Sequence, residues 1–371
     1  MKVAHLTSAH PRDDVRIFLK ECRSLARMGH DVTLVVADGL GHQQVDGVSI
    51  VDVGASKGRL SRMLRTRQRV LAAALALKAD VYHLHDPELL TLCAPLARCG
   101  HRVLFDAHED VPKQILSKHY LPTPLRKLIA WGYARYEYRV CARIDGVIAA
   151  TPTIRDKFLR ITPHTVDVNN YPILGELDAP PATQRGEGGV CYIGGIASIR
   201  GIREIVEATA LCRQPAHLHL VGRFTEPEVE IEVKGRAAWS RVTHWGQQDR
   251  QGVRNVLNRS RIGLVTLHPT ANYLESLPIK MFEYMAAGLP VIASDFPLWR
   301  NIVTQARCGV CVDPLKPQEI ASAIDSLLAN PSWAHEMGEN GRRAVYERFN
   351  WTVEEDKLRS LYAELEQRGS D

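Results

Sequence analysis

The chain has no stretch approaching the 18 or so consecutive apolar residues that a bilayer span needs; the nearest run, Val70 to Leu77, is ended by Lys78 and Asp80. Any membrane contact must be peripheral. The first fourteen residues, MKVAHLTSAHPRDD, reach His5, His10 and Arg12 before any apolar run, unlike a secretory signal, so a cytoplasmic location is expected. Glycine is missing from the turn after the first apolar run (TSAHPRDD), where a dinucleotide fold would place G-x-G-x-x-G to bring its backbone against a pyrophosphate. An NAD enzyme is not expected. The chain also lacks G-x-x-x-x-G-K-[ST], which leaves a Walker-type phosphoryl-transfer site without support. The eight cysteines are scattered singly except for Cys308-Gly-Val-Cys311. With no second pair or nearby histidine, they read as buried thiols of a reducing compartment rather than as a zinc or redox centre. No D-x-D stands at a strand end, and the adjacent pairs Asp13-Asp14 and Glu109-Asp110 suit a divalent diphosphate clamp poorly, so metal independence is expected. Charge of one sign is scarce too: 47 Lys and Arg against 42 Asp and Glu leave +5, too little for a dedicated nucleic-acid binder unless it is concentrated.

What is present is an ordinary globular composition, 45% apolar and 24% charged over 371 residues, enough for two or three domains at about 150 residues each. Apolar runs at 2–7, 32–37, 50–53, 81–84, 102–106 and 146–149 alternate with helical periodicity at RIFLKECRSLARMGH, 60–77, 87–98, 123–142 and 153–159. That alternation implies a parallel sheet covered on both faces. Residues 171–188 are rich in proline and glycine, lack periodicity and read as a linker. The pattern then restarts, with strands expected near 189–193, 217–221, 241–244, 262–266, 290–294 and 310–312 and helices between them. The expected division is an N-terminal domain over 1–170, the linker 171–188, and a second domain over 189–350. The helical segment 351–371 would cross back onto the first domain. Two doubly wound sheets would face each other across a cleft lined by strand carboxyl ends, where such folds bind ligands.

The most informative segment is Glu275-Ser-Leu-Pro-Ile-Lys280-Met-Phe-Glu283-Tyr-Met-Ala-Ala-Gly288-Leu-Pro290-Val-Ile-Ala-Ser294. It reads as loop, helix, glycine stop and strand, with Pro278 suited to the first helical turn. Glu275 and Glu283 are eight residues apart, roughly 12 Å if helix geometry held throughout, which is the reach of a nucleotide sugar. One carboxylate could accept from a ribose diol and the other face a sugar, while Lys280 and the helix-start amides receive a diphosphate. The same spacing also allows Glu283 simply to pair with Lys280 on a solvated helix. Gly194-Gly195-Ile-Ala-Ser-Ile-Arg200-Gly201, between a strand and a helix, offers amides to an anion but is equally an ordinary βα turn.

The E-x7-E pattern, the EYMAAGLPVIAS run and CGVCVDPLKPQEIASAI together resemble the retaining GT-B glycosyltransferases of family 4. In the first half, SAHPRDDVRIFLKECRSLARMGHDVTLV, YHLHDPELL and FDAHEDVP resemble the bacterial branch that builds surface polysaccharides. The resemblance implies two Rossmann-like domains, the first on the acceptor side and the second holding the donor. It implies that Glu283 holds the donor ribose, that Glu275 contacts the donor sugar, and that Ser276 and Leu277 offer amides to the diphosphate. His108 in DAHED would face the donor sugar as a catalytic group beside Glu275. Of the two basic residues usual after the strand opening the second domain, Arg200 before Gly201 matches one, but Gly195 stands where the other is expected. Arg223 after Gly222, or Lys280, would then compensate.

Breaking a sugar–diphosphate bond develops charge on the leaving phosphate, and fixed donors such as Arg200, Lys280 and helix amides can meet it without a metal. On the acceptor side, His10, Arg12, Asp13 and Asp14 occupy the first βα loop, and His85 and Asp86 end another strand; each is as readily a loop or capping residue, Asp86-Pro87 above all. Positive charge does concentrate at Lys57, Arg59, Arg62, Arg65, Arg67 and Arg69, with Leu60, Met63 and Leu64 interleaved. That suits an anionic leaflet and a lipid-linked acceptor, though a solvated basic face has the same look. No aromatics interleave, so no nucleic-acid partner is expected. The expected function is transfer of a sugar from a UDP- or GDP-sugar to a glycan, lipid-linked, in cell-surface polysaccharide synthesis. The alternatives are a nucleotide-sugar 2-epimerase and a non-catalytic nucleotide-sugar binding protein.

Overall fold

Short runs rich in β-branched residues become neighbouring strands, and in the computed structural model, which describes residues 1–56, 58, 61–117, 121–177 and 188–368, they form two separate sheets. The first is built from β1 (Lys2–Leu6), β2 (Asp31–Val36), β3 (Gln43–Val45), β4 (Val48–Asp52), β5 (Val81–Leu84), β6 (Arg102–Ala107), β7 (Gly146–Ala149) and β8 (Thr165–Asp167), in the order β3-β4-β2-β1-β5-β6-β7-β8. All pairings are parallel except β3 with β4. The second holds β9 (Gly189–Ile193), β10 (His217–Val221), β11 (Val242–Gly246), β12 (Ile262–Val265), β13 (Val291–Ser294) and β14 (Gly309–Val312), all parallel, in the order β11-β10-β9-β12-β13-β14. These strands and their intervening helices match the sequence expectation closely. The exceptions are β3, β8 and the helices Val111–Leu116, Pro227–Lys234 and Ala271–Leu274, all of which the sequence reading passed over.

The chain divides into one unit of Met1–Asn170 with Thr352–Asp371 and another of Tyr171–Trp351. The helix Trp351–Gln367 thus belongs chiefly with the first unit, where Tyr362 is buried and its hydroxyl lies 3.1 Å from His83 Nδ1. Residues 171–177, read as linker, pack in the second unit: Tyr171 and Leu177 join its core because both are large apolar side chains with an open face to fill. Residues 178–187 of that expected linker lie outside the described residues.

The second sheet is apolar on both faces, as parallel sheets usually are. Val190 and Tyr192 of β9 join one buried cluster while Cys191 and Ile193 join the other, the period-two alternation of a strand. In β12 the helix Ile279–Ala286 comes so close that a Cβ at Gly263 would lie 2.2 Å from the Tyr284 ring. Tyr284 cannot easily swing away, because its hydroxyl accepts the Ile193 N–H at 2.9 Å. Gly263→Ala should therefore overpack this face and destabilise the second unit by about 1–3 kcal/mol, read as a lower urea midpoint.

Candidate active site

In the first unit β1, β5 and β6 are neighbours, so the loops at their carboxyl ends converge. They bring together His10, His85, Asp86, Asp106 and His108, with the His10 and His108 ring centroids 5.1 Å apart. Asp106, on β6, is the centre of this group. It accepts Arg16 Nε and Nη2 at 2.8 Å each, lies 3.1 Å from His108 Nε2 and lies 3.3 Å from His85 Nδ1. Burial would favour the neutral acid, but Arg16 and His108 hold the carboxyl well below its ordinary range. Burial pushes the His85 pKa down to about 4 against the pull of Asp106. His85 is therefore an interior residue, 1% exposed, rather than a surface contact for an acceptor.

Asp86 is also buried, and it does not cap the helix that Pro87 begins. Its Oδ2 instead accepts from Thr7 Oγ1 at 2.9 Å and from the amides of Ser8 and Ala9 at 2.5 and 3.2 Å, fixing the loop after β1. His10 bridges that loop to two acids, its Nδ1 3.2 Å from Asp14 and its Nε2 3.4 Å from Asp86. Asp14 caps its own helix by accepting the Arg16 and Ile17 amides at 2.9 Å each. Arg12 is committed to Asp38 through Nε and Nη2 at 2.8 and 2.7 Å, and Asp13 is exposed. Of the acceptor-side candidates, His10 and Asp13 remain open to solvent, Arg12 is tied to Asp38, and His85 and Asp86 are buried; His108, the sugar-side candidate, is partly exposed.

In the second unit, Gly194 and Gly195 follow β9 and Gly222 follows β10. Gly222 has φ +135°, and a Cβ there would stand 2.0 Å from the Gly194 carbonyl oxygen, so only glycine fits. Against this bare backbone lie two cations. Built Cβ atoms on Gly194 and Gly195 would be 3.2 Å from Lys280 Nζ and 3.1 Å from Arg200 Nη1. Lys280 Nζ is buried, has no hydrogen-bond partner and sits 3.6 Å from the Tyr192 ring centroid. Burial and the charge of Arg200 push its pKa well down. Arg223, the other proposed substitute for the missing basic residue, is exposed. Arg200 is the cation that stands beside Gly195, and Lys280 stands beside Gly194.

The helix does not run back to Glu275. A short helix, Ala271–Leu274, ends at Glu275, and Pro278 is extended at ψ 114° before Ile279–Ala286 begins. Pro278 thus caps the helix from outside instead of opening its first turn, and the roughly 12 Å separation based on continuous helix no longer applies. The Ser276 amide already donates to the Tyr273 carbonyl at 3.3 Å, the Ser276 carbonyl accepts from Trp299 Nε1 at 2.7 Å, and Leu277 packs on the core. Glu283 is buried, and its hydrogen bond is from Arg250 Nη1 at 2.7 Å, not from Lys280. Arg250 in turn grips Glu176 through Nε and Nη2 at 2.6 and 2.7 Å.

Two family descriptions match the chain, one on each half: "Glycosyl transferase 4-like domain" over residues 15–169 and "Glycosyl transferases group 1" over residues 177–344. The chain belongs to the GT-B glycosyltransferases of the family-4 type. Among curated relatives, the alpha-D-kanosaminyltransferase of Streptomyces kanamyceticus is 25% identical over 47% of this chain and 45% of its own length. The alpha-maltose-1-phosphate synthase of Mycobacterium tuberculosis is 25% identical over 69% of this chain and 74% of its own. Among solved structures, the sucrose-phosphate synthase of Thermosynechococcus elongatus superposes with TM-score 0.80 at 20% identity, covering 99% of this chain and 100% of that one. Anabaena HepE in complex with UDP-glucose gives TM-score 0.76 at 15% identity, covering 98% and 100%.

In this glycosyltransferase the basic segment is less continuous than its sequence suggests. Lys57 and Arg59 lie outside the described residues. Arg62 pairs with Glu88 at 2.6 Å, Arg67 donates to Thr91 at 3.2 Å, and Arg69 donates to Thr66 at 3.0 Å. A helix shows only one side to solvent, and here that side carries Arg65 with Met63 and Leu64, 51% and 58% exposed. No helix among the described residues is long and apolar enough to cross a membrane.

Sequence reasoning missed Arg16, Asp106 and Glu21 on the first unit and Arg250 and Glu176 on the second. Arg16 and Glu21 looked like the polar face of an amphipathic helix, and Glu176 lay in apparent linker. The alternating His83-x-His85 with His5 at an equivalent strand position was the available signal. One consequence is measurable at His10. Burial disfavours its charged form, but Asp14 and Asp86 outweigh this and raise its pKa above 6.5, while Asp14 is held at about 2. The pair's contribution to stability is full between the ordinary carboxylate and histidine values, fades as pH rises through the raised His10 value, and is lost as pH falls through the lowered Asp14 value. Imidazole NMR titration should place His10 above 6.5 in the wild type and lower in Asp14→Asn.

Proposed function

We propose that the protein transfers a sugar, with retention, from a UDP- or GDP-sugar to a lipid-linked glycan at the cytoplasmic membrane face, in cell-surface polysaccharide synthesis. The observation that carries the donor half of this reading is the pair of cations, Arg200 and the unpartnered Lys280, set against the glycine backbone after β9 and β10. A guanidinium and a buried amine with no acid hydrogen-bonded to either call for an anion, which would also favour the charged form of Lys280, and a sugar diphosphate supplies one. In the reaction these fixed charges would stabilise the leaving diphosphate as the glycosidic bond breaks, with no divalent ion required. Glu283, oriented by Arg250, would accept from the two ribose hydroxyls. Glu275 would contact the sugar, the loop 275–277 would present the Leu277 amide to the phosphates, and His108, held by Asp106, would be the first unit's sugar-side group. On the same-face mechanism of the family, the leaving phosphate itself helps take the acceptor's proton, so no separate protein base is assigned. The lipid-linked acceptor rests on the exposed Arg65, Met63 and Leu64 and, from the sequence alone, on the nearby Lys57 and Arg59.

A thermal-shift screen of UDP, GDP, ADP and CMP tests the donor half. One nucleotide at 100 times its dissociation constant should stabilise the wild type by about 2.7 kcal/mol. Added Mg2+ or Mn2+ should leave that response unchanged, and Lys280→Met and Glu283→Ala should lose most of it. Glu275→Ala should keep the nucleotide response and lose turnover. Stabilisation by no nucleotide, or an unchanged response in Lys280→Met, would overturn the donor assignment.

A further inference from the structure

The interior of the first unit holds a second cluster of ligating side chains that the transfer reaction does not use. β1 and β5 are parallel neighbours with His5 opposite His83, and His85 follows two residues later, so the three imidazoles lie on one face of the sheet. Their ring centroids are 4.4, 4.5 and 5.1 Å apart. Facing them, Val15–Cys22 is wound as a π-helix, with the Leu19 amide donating five residues back to the Asp14 carbonyl at 3.1 Å. Such winding is rare, and it is frequent at functional sites. Here it accompanies a buried carboxylate, Glu21, brought under the three histidines.

Glu21 Oε2 stands 3.9 Å from His5 Nδ1, 3.9 Å from His83 Nε2 and 3.9 Å from His85 Nε2, and none of the four side chains has any solvent exposure. These separations are too long for hydrogen bonds. They are close to the edge of about 3.4 Å expected of a tetrahedron with metal–ligand bonds of about 2.0–2.1 Å. Glu21 Oε2 and His83 Nε2 have no hydrogen-bond partner, although such buried groups are nearly always paired. The outer nitrogens of two rings are engaged from behind: His83 Nδ1 is 3.1 Å from the Tyr362 hydroxyl and His85 Nδ1 is 3.3 Å from Asp106. That leaves each Nε2 aimed inward, the arrangement in which ligating histidines are commonly held.

We propose that His5, Glu21, His83 and His85 form a closed, four-ligand zinc site inside the first unit, serving stability rather than sugar transfer. Three imidazole nitrogens and one carboxylate suit zinc, whereas magnesium and calcium take mainly oxygen ligands. With all four positions filled by protein, no open position remains for water or substrate. Binding would displace the proton shared between His5 Nδ1 and His85 Nε2, now 2.8 Å apart, and move those nitrogens to the tetrahedral edge. A neighbouring group, His85, Asp106 and His108, also brings ligand atoms together, but Asp106 is already occupied by Arg16 on both oxygens.

The test uses the full chain, purified without metal-affinity resin and dialysed against chelator-treated buffer. Elemental analysis should find one zinc per chain in the wild type and in His108→Gln, and a large loss in Glu21→Gln and His5→Gln. Protein refolded with cobalt should show the strong visible absorption of a four-coordinate ion. If a ligand variant fails to fold, the wild-type zinc content and cobalt spectrum still decide. The proposal is overturned if wild type holds no stoichiometric metal and refolded protein gives no four-coordinate cobalt spectrum, or if the metal is lost in His108→Gln but kept in Glu21→Gln. None of these results depends on the nucleotide response of Lys280, so this proposal and the donor assignment fail independently.

Discussion

Arg16 and Asp106 meet inside the first unit, where an isolated charge of either sign would cost several kcal/mol to desolvate. Their two-fold hydrogen bonding makes the burial tolerable, and the remaining guanidinium nitrogen, Nη1, donates to the Val168 carbonyl at 2.7 Å. One side chain therefore ties the helix after the first loop to β6 and to the chain leaving β8. The pair also sets the direction of protons nearby. An ionised Asp106 can only accept, so the facing nitrogens of His85 and His108 must carry hydrogen. His85 then has its Nε2 lone pair free, and in the metal-free protein His5 Nδ1 must supply the proton between them. The state of one carboxylate thus decides which face of His108 is donor and which nitrogens of the buried cluster can act as ligands.

The two units treat charge in opposite ways. In the first, the loop residues at the strand ends are largely satisfied by one another: Arg12 by Asp38, His10 by Asp14 and Asp86, and Asp86 by the backbone of the loop it supports. In the second, Lys280 is left without a hydrogen-bond partner, and Arg200 bonds the Gly195 carbonyl at 3.3 Å and the neutral hydroxyls of Tyr192 and Tyr273 rather than an acid. Internally satisfied charges build a rigid loop, while unsatisfied ones store a binding capacity that an anion can release.

The sheets were readable from sequence because parallel strands buried on both faces are continuous apolar runs, and twelve of them appeared at nearly the expected positions. The two missed strands are three residues each and lie at the sheet's edges, where Gln43, Gln44 and Thr165 carry no apolar pattern. Candidate residues stand out in sequence where a local pattern carries chemistry, as with Gly194-Gly195, Arg200, Lys280 and Glu283. They were not legible where partners come from distant segments. Nothing near Glu283 in sequence announces Arg250, and nothing near Asp106 announces Arg16. The helical spacing between Glu275 and Glu283 misled for a related reason: Pro278 was placed inside the helix, while its extended backbone ends the preceding turn.

The segment 171–177 shows how far a composition-based reading can miss function. Its proline and glycine look like a tether, yet Tyr171 packs against Phe282 with ring centroids 4.7 Å apart, and Glu176 grips Arg250. Arg250 then has one nitrogen left for Glu283 Oε1. A guanidinium held on one side by a bidentate carboxylate has little freedom on the other, so Glu283 is fixed in position and kept as an acceptor. The result is a carboxylate oriented from behind on the helix Ile279–Ala286, one turn from Lys280 and on the same element. An acceptor and a cation at fixed spacing fit a ligand that offers hydroxyl donors next to a phosphate, which is the chemistry of a nucleoside diphosphate. The apparent linker is in this way part of what holds Glu283 in place.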